Sequence, residues 1–202
     1  MPVDFPALGV DFAAFSGHKM LAPTGIGALY GRAELLDALP PFLTGGSMIT
    51  RVELQDADYM PAPIKFEAGT QRVSQVVAFA EAVRYLQHLG MDNVHAWEQE
   101  LGARLVAGVQ NIEGVRLLGP TDPNKRAGLV SLSIYGGHPH DAGQLLDTKG
   151  IAVRVGHHCA QPLHRGAGLT ASTRASAYLY NTTEDIDAFL SALAEVRPYF
   201  GL

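Results

Sequence analysis

The sequence predicts an α/β protein made of two domains. Its second half alternates segments of helical periodicity with short apolar strands, and no internal repeat is visible. Hydrophobic residues make up 47% and charged residues 17% of the chain, which is enough apolar material for a packed core. A length of 202 residues fits one or two domains of about 100–200 residues each. We place the boundary near residue 90, which gives domains 1–90 and 91–202.

Elements in the first domain are short and are separated by glycine and proline. A polar loop at residues 16–25 joins two apolar strands, and a short helix ends at a Pro-Pro pair. Residues 43–70 show little periodicity, and a stretch of that length in a compact domain is usually functional. The predicted elements are strands Val10–Phe15 and Ile26–Gly31, helix Ala33–Leu39, and a long helix from Ser74 to Leu89.

The second domain is predicted to begin with a long helix and to continue with strands and helices in alternation. Apolar residues recur at spacings of three and four in its helices and alternate with polar ones in its best strand. The last helix opens with a threonine cap followed by acids in its first turn. The predicted elements are helix Asp92–Asn111, strands Val115–Leu118 and Leu129–Ile134, helix Asp141–Lys149, strands Ile151–Val155 and Ser172–Ala175, and a helix from Thr183.

Charge and composition exclude several classes of protein. The chain has 15 basic and 20 acidic residues, and it lacks the basic stripe that is typical of nucleic-acid binders. No apolar run reaches the roughly 18 residues that span a bilayer, and the N-terminus lacks a secretory signal pattern. Cys159 is the only cysteine, so no internal disulfide can form. These features predict a cytoplasmic protein that binds neither nucleic acid nor membranes.

Lys19 is the first candidate for chemistry. It lies in a glycine-containing loop directly after a strand, next to Ser16 and His18. A lysine in a partly desolvated pocket suits Schiff-base chemistry, and the hydroxyl, imidazole and backbone amides around it could bind a phosphate. A solvated surface lysine is the alternative, and composition alone favours it.

Cys159 lies in a second cluster, beside His157 and His158 and close to Arg154. Neighbouring cationic groups favour the nucleophilic thiolate form of a cysteine. A metal site is the weaker hypothesis, because adjacent residues rarely reach one ion together and no second cysteine is present. A buried structural cysteine beside two loop histidines is the other alternative, and the residues alone favour it.

Arg174 is the third candidate, because it lies on a strand of small and apolar residues. Burying an unpaired charge is costly, so this guanidinium needs a partner. A substrate carboxylate held by two hydrogen bonds would serve. An ion pair with one of the chain's own acids is an equally physical alternative, and Arg154 raises the same question less sharply.

Taken together, these motifs resemble the class V aminotransferase family of fold-type I pyridoxal-phosphate (PLP) enzymes. Within it, the chain is similar to group II cysteine desulfurases of the SUF type, and the sequence around Cys159 is the most specific match. The motifs occur in family order from one end of the chain to the other. They are Phe15-Ser16-Gly17-His18-Lys19, Gly45-Gly46-Ser47-Met48-Ile49, Phe66-Glu67-Ala68-Gly69-Thr70, Arg154-Val155-Gly156-His157-His158-Cys159-Ala160 and Thr173-Arg174-Ala175-Ser176.

The resemblance implies a cofactor site in the first domain. Lys19 would hold PLP as a Schiff base, while Ser16 and His18 would contact its phosphate. In the family, the residue at Thr70 reaches the phosphate bound by the other subunit, so the resemblance also implies a homodimer.

The resemblance further implies the reaction. Arg174 would bind the carboxylate of L-cysteine with support from Arg154, and Cys159 would attack the substrate sulfur. The products would be L-alanine and a persulfide on Cys159, with the sulfur passed on for iron–sulfur cluster assembly. Selenocysteine lyase is an enzymatic alternative with the same fold and cofactor, and a non-catalytic module that docks a sulfur acceptor is an alternative from another class.

His140 carries an expectation about the partner. The sequence His138-Pro139-His140-Asp141 is similar to that of family enzymes that deliver sulfur to a zinc-binding, scaffold-like acceptor. The resemblance implies that His140 takes a zinc coordination position from a partner cysteine, whose freed thiolate then attacks the persulfide. The alternative is that His140 only caps its helix.

Length is the one large departure, because family enzymes are about twice as long. The resemblance therefore implies a C-terminal half, consisting of the end of the large PLP-binding domain and a complete small α+β domain. The aspartate that pairs with the pyridinium nitrogen would lie before Met1. On this basis we expect the isolated chain to bind cofactor poorly and to be nearly inactive.

Overall fold

A computed structural model describes all 202 residues, and the chain divides into two compact units, Met1–Met91 and Asp92–Leu202. No helix is long and apolar enough to cross a membrane. The helices are α1 Phe5–Leu8, α2 Ala33–Ala38, α3 Val73–Leu89, α4 Met91–Gln110, α5 Pro139–Thr148, α6 Gln161–Gly166, α7 Thr183–Ala194 and α8 Val196–Phe200. The strands are β1 Phe12–Ser16, β2 Gly27–Gly31, β3 Ile49–Val52, β4 Ala57–Tyr59, β5 Val115–Leu118, β6 Leu129–Ile134, β7 Arg154–Gly156 and β8 Ser172–Ser176.

In the first unit, β1 and β2 form an antiparallel pair in which Ser16 lies opposite Gly27. Both strands lie within two residues of the predicted ones. A Cβ atom on Gly27 would lie 2.6 Å from the carbonyl oxygen of Phe15, so the close pairing at this end of the strands requires glycine. The pair thereby fixes the start of the connecting segment, which contains a short 3-10 helix at Gly17–Met20.

Residues 43–70 are more regular than the sequence suggests. They contain the antiparallel pair β3–β4 and a 3-10 helix at Ile64–Phe66. Both strands are short and mostly exposed, so they lack the buried alternating face that makes a strand visible in a sequence. Arg51 forms exposed ion pairs with carboxylates of the turn and of β4.

The long helix predicted in the first unit is confirmed as α3, but much of its apolar side is not buried. Ala82 and Leu86 are buried, whereas Val76 and Val77 are exposed. Helical periodicity therefore predicted the element correctly, although part of the expected core face is in contact with solvent.

The second unit contains a four-stranded antiparallel sheet with the strand order β5-β6-β8-β7. Strand β6 alternates as predicted, with Val130, Leu132 and Ile134 buried. These side chains pack with residues of α4, α5, α7 and α8 in one hydrophobic cluster. Residues on the opposite face of β6 and β8, including Ser131 and Arg174, are thus turned away from the core.

Three details of the second unit differ from the prediction. The strand expected at Ile151–Val155 is β7, Arg154–Gly156, because only these residues pair with β8, while Ile151 packs against the core. Helix α6 was not predicted. The threonine that caps α7 is Thr182 rather than Thr183.

Candidate active site

In the first unit, Ser16, His18 and Lys19 are brought together at the end of β1. Ser16 ends the strand, and His18 and Lys19 lie in the 3-10 helix that follows. Gly17 between them is buried, and a Cβ atom there would lie 3.0–3.2 Å from atoms of Ile26 and Ala22. The tight packing of this backbone leaves the side chains of His18 and Lys19 exposed.

The amine of Lys19 forms no ion pair with a carboxylate, whereas two of the other lysines have defined partners. Lys65 is buried and its Nζ donates to the carbonyl oxygen of Asp37 at 2.8 Å. The Nζ of Lys149 is paired with Glu195. A free amine beside a hydroxyl and an imidazole provides a nucleophile for an aldehyde and two hydrogen-bonding groups for a phosphate, so this donor set fits PLP.

Thr70 also lies in the first unit, shortly before α3, and it is exposed. The residue before it, Gly69, has φ +80° and donates its amide to the carbonyl oxygen of Gly46 at 2.8 Å. The predicted motifs around Gly46 and Thr70 are therefore joined by a backbone hydrogen bond. No hydrogen bond joins the side chains of Thr70 and Lys19.

In the second unit, Cys159 occupies an unusual turn between β7 and α6. His158 and Cys159 have φ values of 53° and 63°, which lie in the left-handed region. The amide of Ala160 closes the turn by donating to the carbonyl oxygen of His157 at 2.8 Å. Each non-glycine residue in this region costs about 1–2 kcal/mol, so surrounding contacts must hold the turn.

The thiol of Cys159 is exposed, and Arg154 lies beside it. Nη2 of Arg154 donates to Sγ at 3.3 Å. Arg154, Cys159, His157 and His140 line one cavity of about 630 Å³. Three of the predicted site residues therefore meet at one accessible place, which excludes the hypothesis of a buried structural cysteine.

Arg174 lies on β8 directly opposite Arg154 on β7. Two like charges in register are unfavourable unless an anion compensates them. Neither guanidinium forms an ion pair with an acid of the chain, and Nε of Arg174 is buried without a hydrogen-bond partner. The alternative of an internal ion pair for Arg174 is therefore wrong.

Arg174 also lines a second cavity, of about 510 Å³, on the sheet face that is turned away from the core. Leucines from β5, β6 and the segment around α6 supply its apolar walls, and Ser131, His158, His164 and Ser172 supply its polar groups. An apolar cavity with a few converging polar groups and an unpaired guanidinium is suited to a small molecule that carries a carboxylate.

His158 is linked to the sheet through Ser172. Its Nε2 lies 3.0 Å from Oγ of Ser172, and Nε2 of His164 lies 2.9 Å from the same oxygen. Burial lowers the pKa of His158, and the positive charges of Arg174 and Arg154 lower it further. His158 is therefore biased towards the neutral imidazole.

His140 lies in the first turn of α5, where it is exposed. The cap of this helix is His138, whose Nδ1 accepts the amide hydrogen of His140 at 3.3 Å. The two imidazole rings are stacked, with centroids 5.4 Å apart. The hypothesis that His140 serves as the helix cap is thus wrong, because His138 has that role and His140 lines the cavity of Cys159.

No three His, Cys, Asp or Glu side chains converge as a metal site would require. Two residues of the Cys159 environment, Ser172 and His164, were not singled out from the sequence. They approach His158 only after α6 folds the chain back onto β8. A buried serine at the start of a short strand gives no signal of such a role in a single sequence.

Solved structures with the same fold include the cysteine desulfurase CsdA of Escherichia coli, with a TM-score of 0.92 and 36% identity over 98% of this chain and 49% of that chain. Another is a mutant of C-DES that carries glycine covalently linked to its PLP cofactor, with a TM-score of 0.79 and 25% identity over 96% of this chain and 48% of that chain. The α/β fold is thus that of PLP-dependent enzymes, as the motifs predicted.

The aminotransferase class-V profile matches residues 1–189, and the chain belongs to that family. A probable cysteine desulfurase of Mycobacterium leprae (strain TN) is 54% identical over 200 residues, which are 99% of this chain and 48% of that protein. A probable cysteine desulfurase of Streptomyces coelicolor is 50% identical over 201 residues, again covering 48% of its length. The chain spans about half the length of these relatives, and the family resemblance seen in its motifs is confirmed.

Proposed function

We propose that this chain is part of a PLP-dependent cysteine desulfurase in which Cys159 accepts the sulfur. The observation that carries the proposal is the accessible Cys159 Sγ at 3.3 Å from a guanidinium that no acid neutralises. Nη2 of Arg154 donates to Sγ and thereby holds the sulfur at the cavity that both residues line. The reaction takes L-cysteine and the Cys159 thiol to L-alanine and a Cys159 persulfide, so no external oxidant or reductant is required.

Within this proposal each residue has a stated task. Lys19 holds PLP through Nζ and moves the proton at the substrate α-carbon, while Ser16 and His18 bind the phosphate. Arg174 binds the substrate carboxylate, with Arg154 in support. When bound, PLP supplies a sink for the electrons released at the α-carbon.

The two domains have different parts in the proposal. Domain 1–90 is assigned to the C-terminal part of a large PLP-binding domain, and domain 91–202 to the small domain that carries the cysteine turn. Thr70 is assigned to the phosphate bound by a second subunit of a homodimer. Because the relatives are about twice as long, we propose that turnover belongs to the full-length protein and that this chain alone is nearly inactive.

His140 is proposed as the contact to the sulfur acceptor. Its imidazole is exposed and lines the same cavity as Cys159, so an acceptor that reaches the persulfide also meets His140. A neutral imidazole is a good zinc ligand, which supports a zinc-binding, scaffold-like acceptor of the SUF type. In this scheme the sulfur goes to iron–sulfur cluster assembly in the cytoplasm.

The assignment of Cys159 is tested in a full-length protein that carries this sequence. Cys159→Ser should retain the absorbance of bound PLP and lose the release of sulfide from L-cysteine. Mass spectrometry of the wild type should show a gain of one sulfur atom on the peptide that contains Cys159. Normal sulfide release by Cys159→Ser would refute the proposal.

The assignment of Lys19 is tested by borohydride reduction after incubation with PLP, followed by peptide mapping. The adduct should lie on Lys19 and be lost in Lys19→Ala, with the exposed Lys125 as the control position. An adduct on Lys65, Lys125 or Lys149 would contradict the assignment.

The role of His140 is tested by comparing His140→Ala with the wild type in the full-length protein. The variant should keep the reaction with L-cysteine alone and lose the stimulation by a zinc-bearing acceptor. His138→Ala is the matched control, because it changes the stacked neighbour that caps the helix. Full stimulation of His140→Ala would contradict the exchange of zinc ligands.

A further inference from the structure

A chain of hydrogen bonds runs behind the cysteine turn. Nδ1 of His164 lies 3.0 Å from the carbonyl oxygen of Ala160, the residue that follows Cys159. Nε2 of the same ring lies 2.9 Å from Oγ of Ser172, and that oxygen lies 3.0 Å from Nε2 of His158. His164 is 6% exposed and Ser172 is fully buried, so water does not compete for these bonds.

The direction of each bond follows from the acceptor at one end. A carbonyl oxygen only accepts, so Nδ1 of His164 carries a hydrogen and donates to Ala160. In the neutral ring, Nε2 of His164 then accepts the hydroxyl hydrogen of Ser172. Oγ of Ser172 in turn accepts from His158, whose hydrogen is therefore on Nε2.

The remaining atom of the network agrees with this assignment. Nδ1 of His158 is buried and has no hydrogen-bond partner. In the assigned tautomer it is a lone pair, whereas the reversed direction would leave a buried N–H without an acceptor. In proteins, a buried N–H group without a partner is rarer than a buried acceptor without one. The lowered pKa of His158 is also consistent with a neutral ring.

The turn itself needs such support. His158 and Cys159 are consecutive non-glycine residues in the left-handed region, and no glycine within the pair relieves the strain. The network is hydrogen-bonded to the turn at two points, the side chain of His158 before Cys159 and the carbonyl oxygen of Ala160 after it. Both ends are tied to Ser172 on β8, the central partner of β7 and β6.

We propose that Ser172 and His164 are positioning residues, which lock the His158–Cys159 turn and thereby hold Sγ of Cys159 against Arg154. Without the network, the turn relaxes towards right-handed conformations and the thiol leaves the guanidinium. The inference rests on the proposed role of Cys159. It concerns the geometry of the turn alone, so its test needs neither PLP nor L-cysteine, and it can fail or succeed independently of the proposed reaction.

The rate of alkylation of Cys159 by iodoacetamide tests this geometry. Because Cys159 is the only thiol, the mass of the whole chain reports its reaction directly. Ser172→Ala removes the hydroxyl, and His164→Leu removes both ring nitrogens. Each variant loses two hydrogen bonds of the network and should be alkylated at least about fivefold more slowly at neutral pH, since a single bond accounts for about that change. His164→Gln retains an acceptor for the Ser172 hydroxyl and should recover most of the rate.

Ser176→Ala is the matched control. Ser176 lies on the same face of β8 as Ser172, is exposed, and makes no side-chain hydrogen bond to the turn. It should be alkylated at the wild-type rate. Fluorescence of Trp97, the only tryptophan, shows whether the second unit of each variant is folded.

Nitrogen-15 NMR of the histidine side chains gives a signature that a merely structural role would not produce. In the wild type, His158 should be a neutral ring with its hydrogen on Nε2, and Ser172→Ala should mix the two tautomers. A charged or Nδ1-protonated His158 in the wild type would overturn the proposal without any variant. Wild-type alkylation rates in both folded Ser172→Ala and folded His164→Leu would overturn it as well.

Discussion

At the scale of single residues, His158 couples the cysteine turn to the stability of the second unit. Its pKa is lowered by burial first, and then by the charges of Arg174, Arg154 and His164. In the unfolded chain the same imidazole titrates near the ordinary value of about 6.5. Below that value the unfolded state binds a proton that the folded state does not, so the unfolded state gains stability relative to the folded one.

We therefore predict that the free energy of unfolding of the second unit falls as the pH is lowered from neutral through about 6.5. His158→Gln should weaken this dependence, because glutamine keeps a donor near the position of Nε2 and does not titrate. Urea unfolding followed by the fluorescence of Trp97 at several pH values measures it. The control is His157→Gln, the exposed neighbour in the same turn; an equal loss of pH dependence in both variants would contradict the assignment to His158.

Predictability at this scale depends on whether a residue's partners lie close by in the sequence. Lys19 with Ser16 and His18, and Cys159 with Arg154, form local groups that a motif reveals, and the structure places each group together. Ser172 and His164 could not be found in that way. Their meeting depends on the fold of α6 against β8, and the bond between them is a tertiary contact.

At the scale of elements, α7 begins with a reciprocal cap. The hydroxyl oxygen of Thr182 accepts the amide hydrogen of Asp185 at 3.3 Å, and the carboxylate of Asp185 accepts the amide hydrogen of Thr182 at 2.9 Å. The hydrogen bond from the Thr182 backbone amide, together with a hydrogen bond from the side chain of Asn181, lowers the pKa of Asp185. Helix α7 carries Ile186 and Phe189 into the core, so its cap contributes to the fold of the whole second unit.

We predict that Thr182→Ala destabilises the second unit by about 1 kcal/mol, the usual cost of losing such a cap. Trp97, the only tryptophan, is a well-placed reporter, because its Nε1 donates to the carbonyl oxygen of Asn181 at 3.1 Å, next to the cap. Urea unfolding should show the lower midpoint. Thr183→Ala is the matched control and should cost less; a larger loss in that variant would place the cap at the residue that the sequence alone favoured.

Elements were predictable where burial is regular. Strand β6 and helices α3 and α4 carry long periodic patterns and lie within two residues of the predicted ranges. The pair β3–β4 was missed because its strands are short and mostly exposed, so they have no buried alternating face. The shift of β7 has a different cause, since pairing with β8 rather than apolar character decides where that strand begins.

At the scale of the whole molecule, the two units differ in what holds them together. The buried hydrophobic residues of the first unit are only Ala22, Met48, Ala82 and Leu86, and large apolar side chains such as Phe42 and Leu54 are 92% and 100% exposed. The second unit contains a continuous cluster drawn from four helices and the sheet. Burial of apolar surface is the main favourable contribution to folding. The second unit buries far more apolar side chains than the first, so this contribution is larger there.

We predict that residues 92–202 fold as an independent unit, whereas residues 1–91 alone do not. The fragment of residues 92–202 should show a cooperative urea transition by Trp97 fluorescence, because its sheet and the helices that cover the sheet are all retained. The fragment of residues 1–91 should bind a hydrophobic dye and self-associate, because its exposed apolar side chains include those of α3 and β2. Residues 112–202, which lack α4, are the control and should lose the transition by circular dichroism, since Leu101, Leu105 and Val109 supply part of the cluster. Cooperative unfolding of residues 1–91, or its absence in residues 92–202, would show that burial within each unit does not decide which of them is stable.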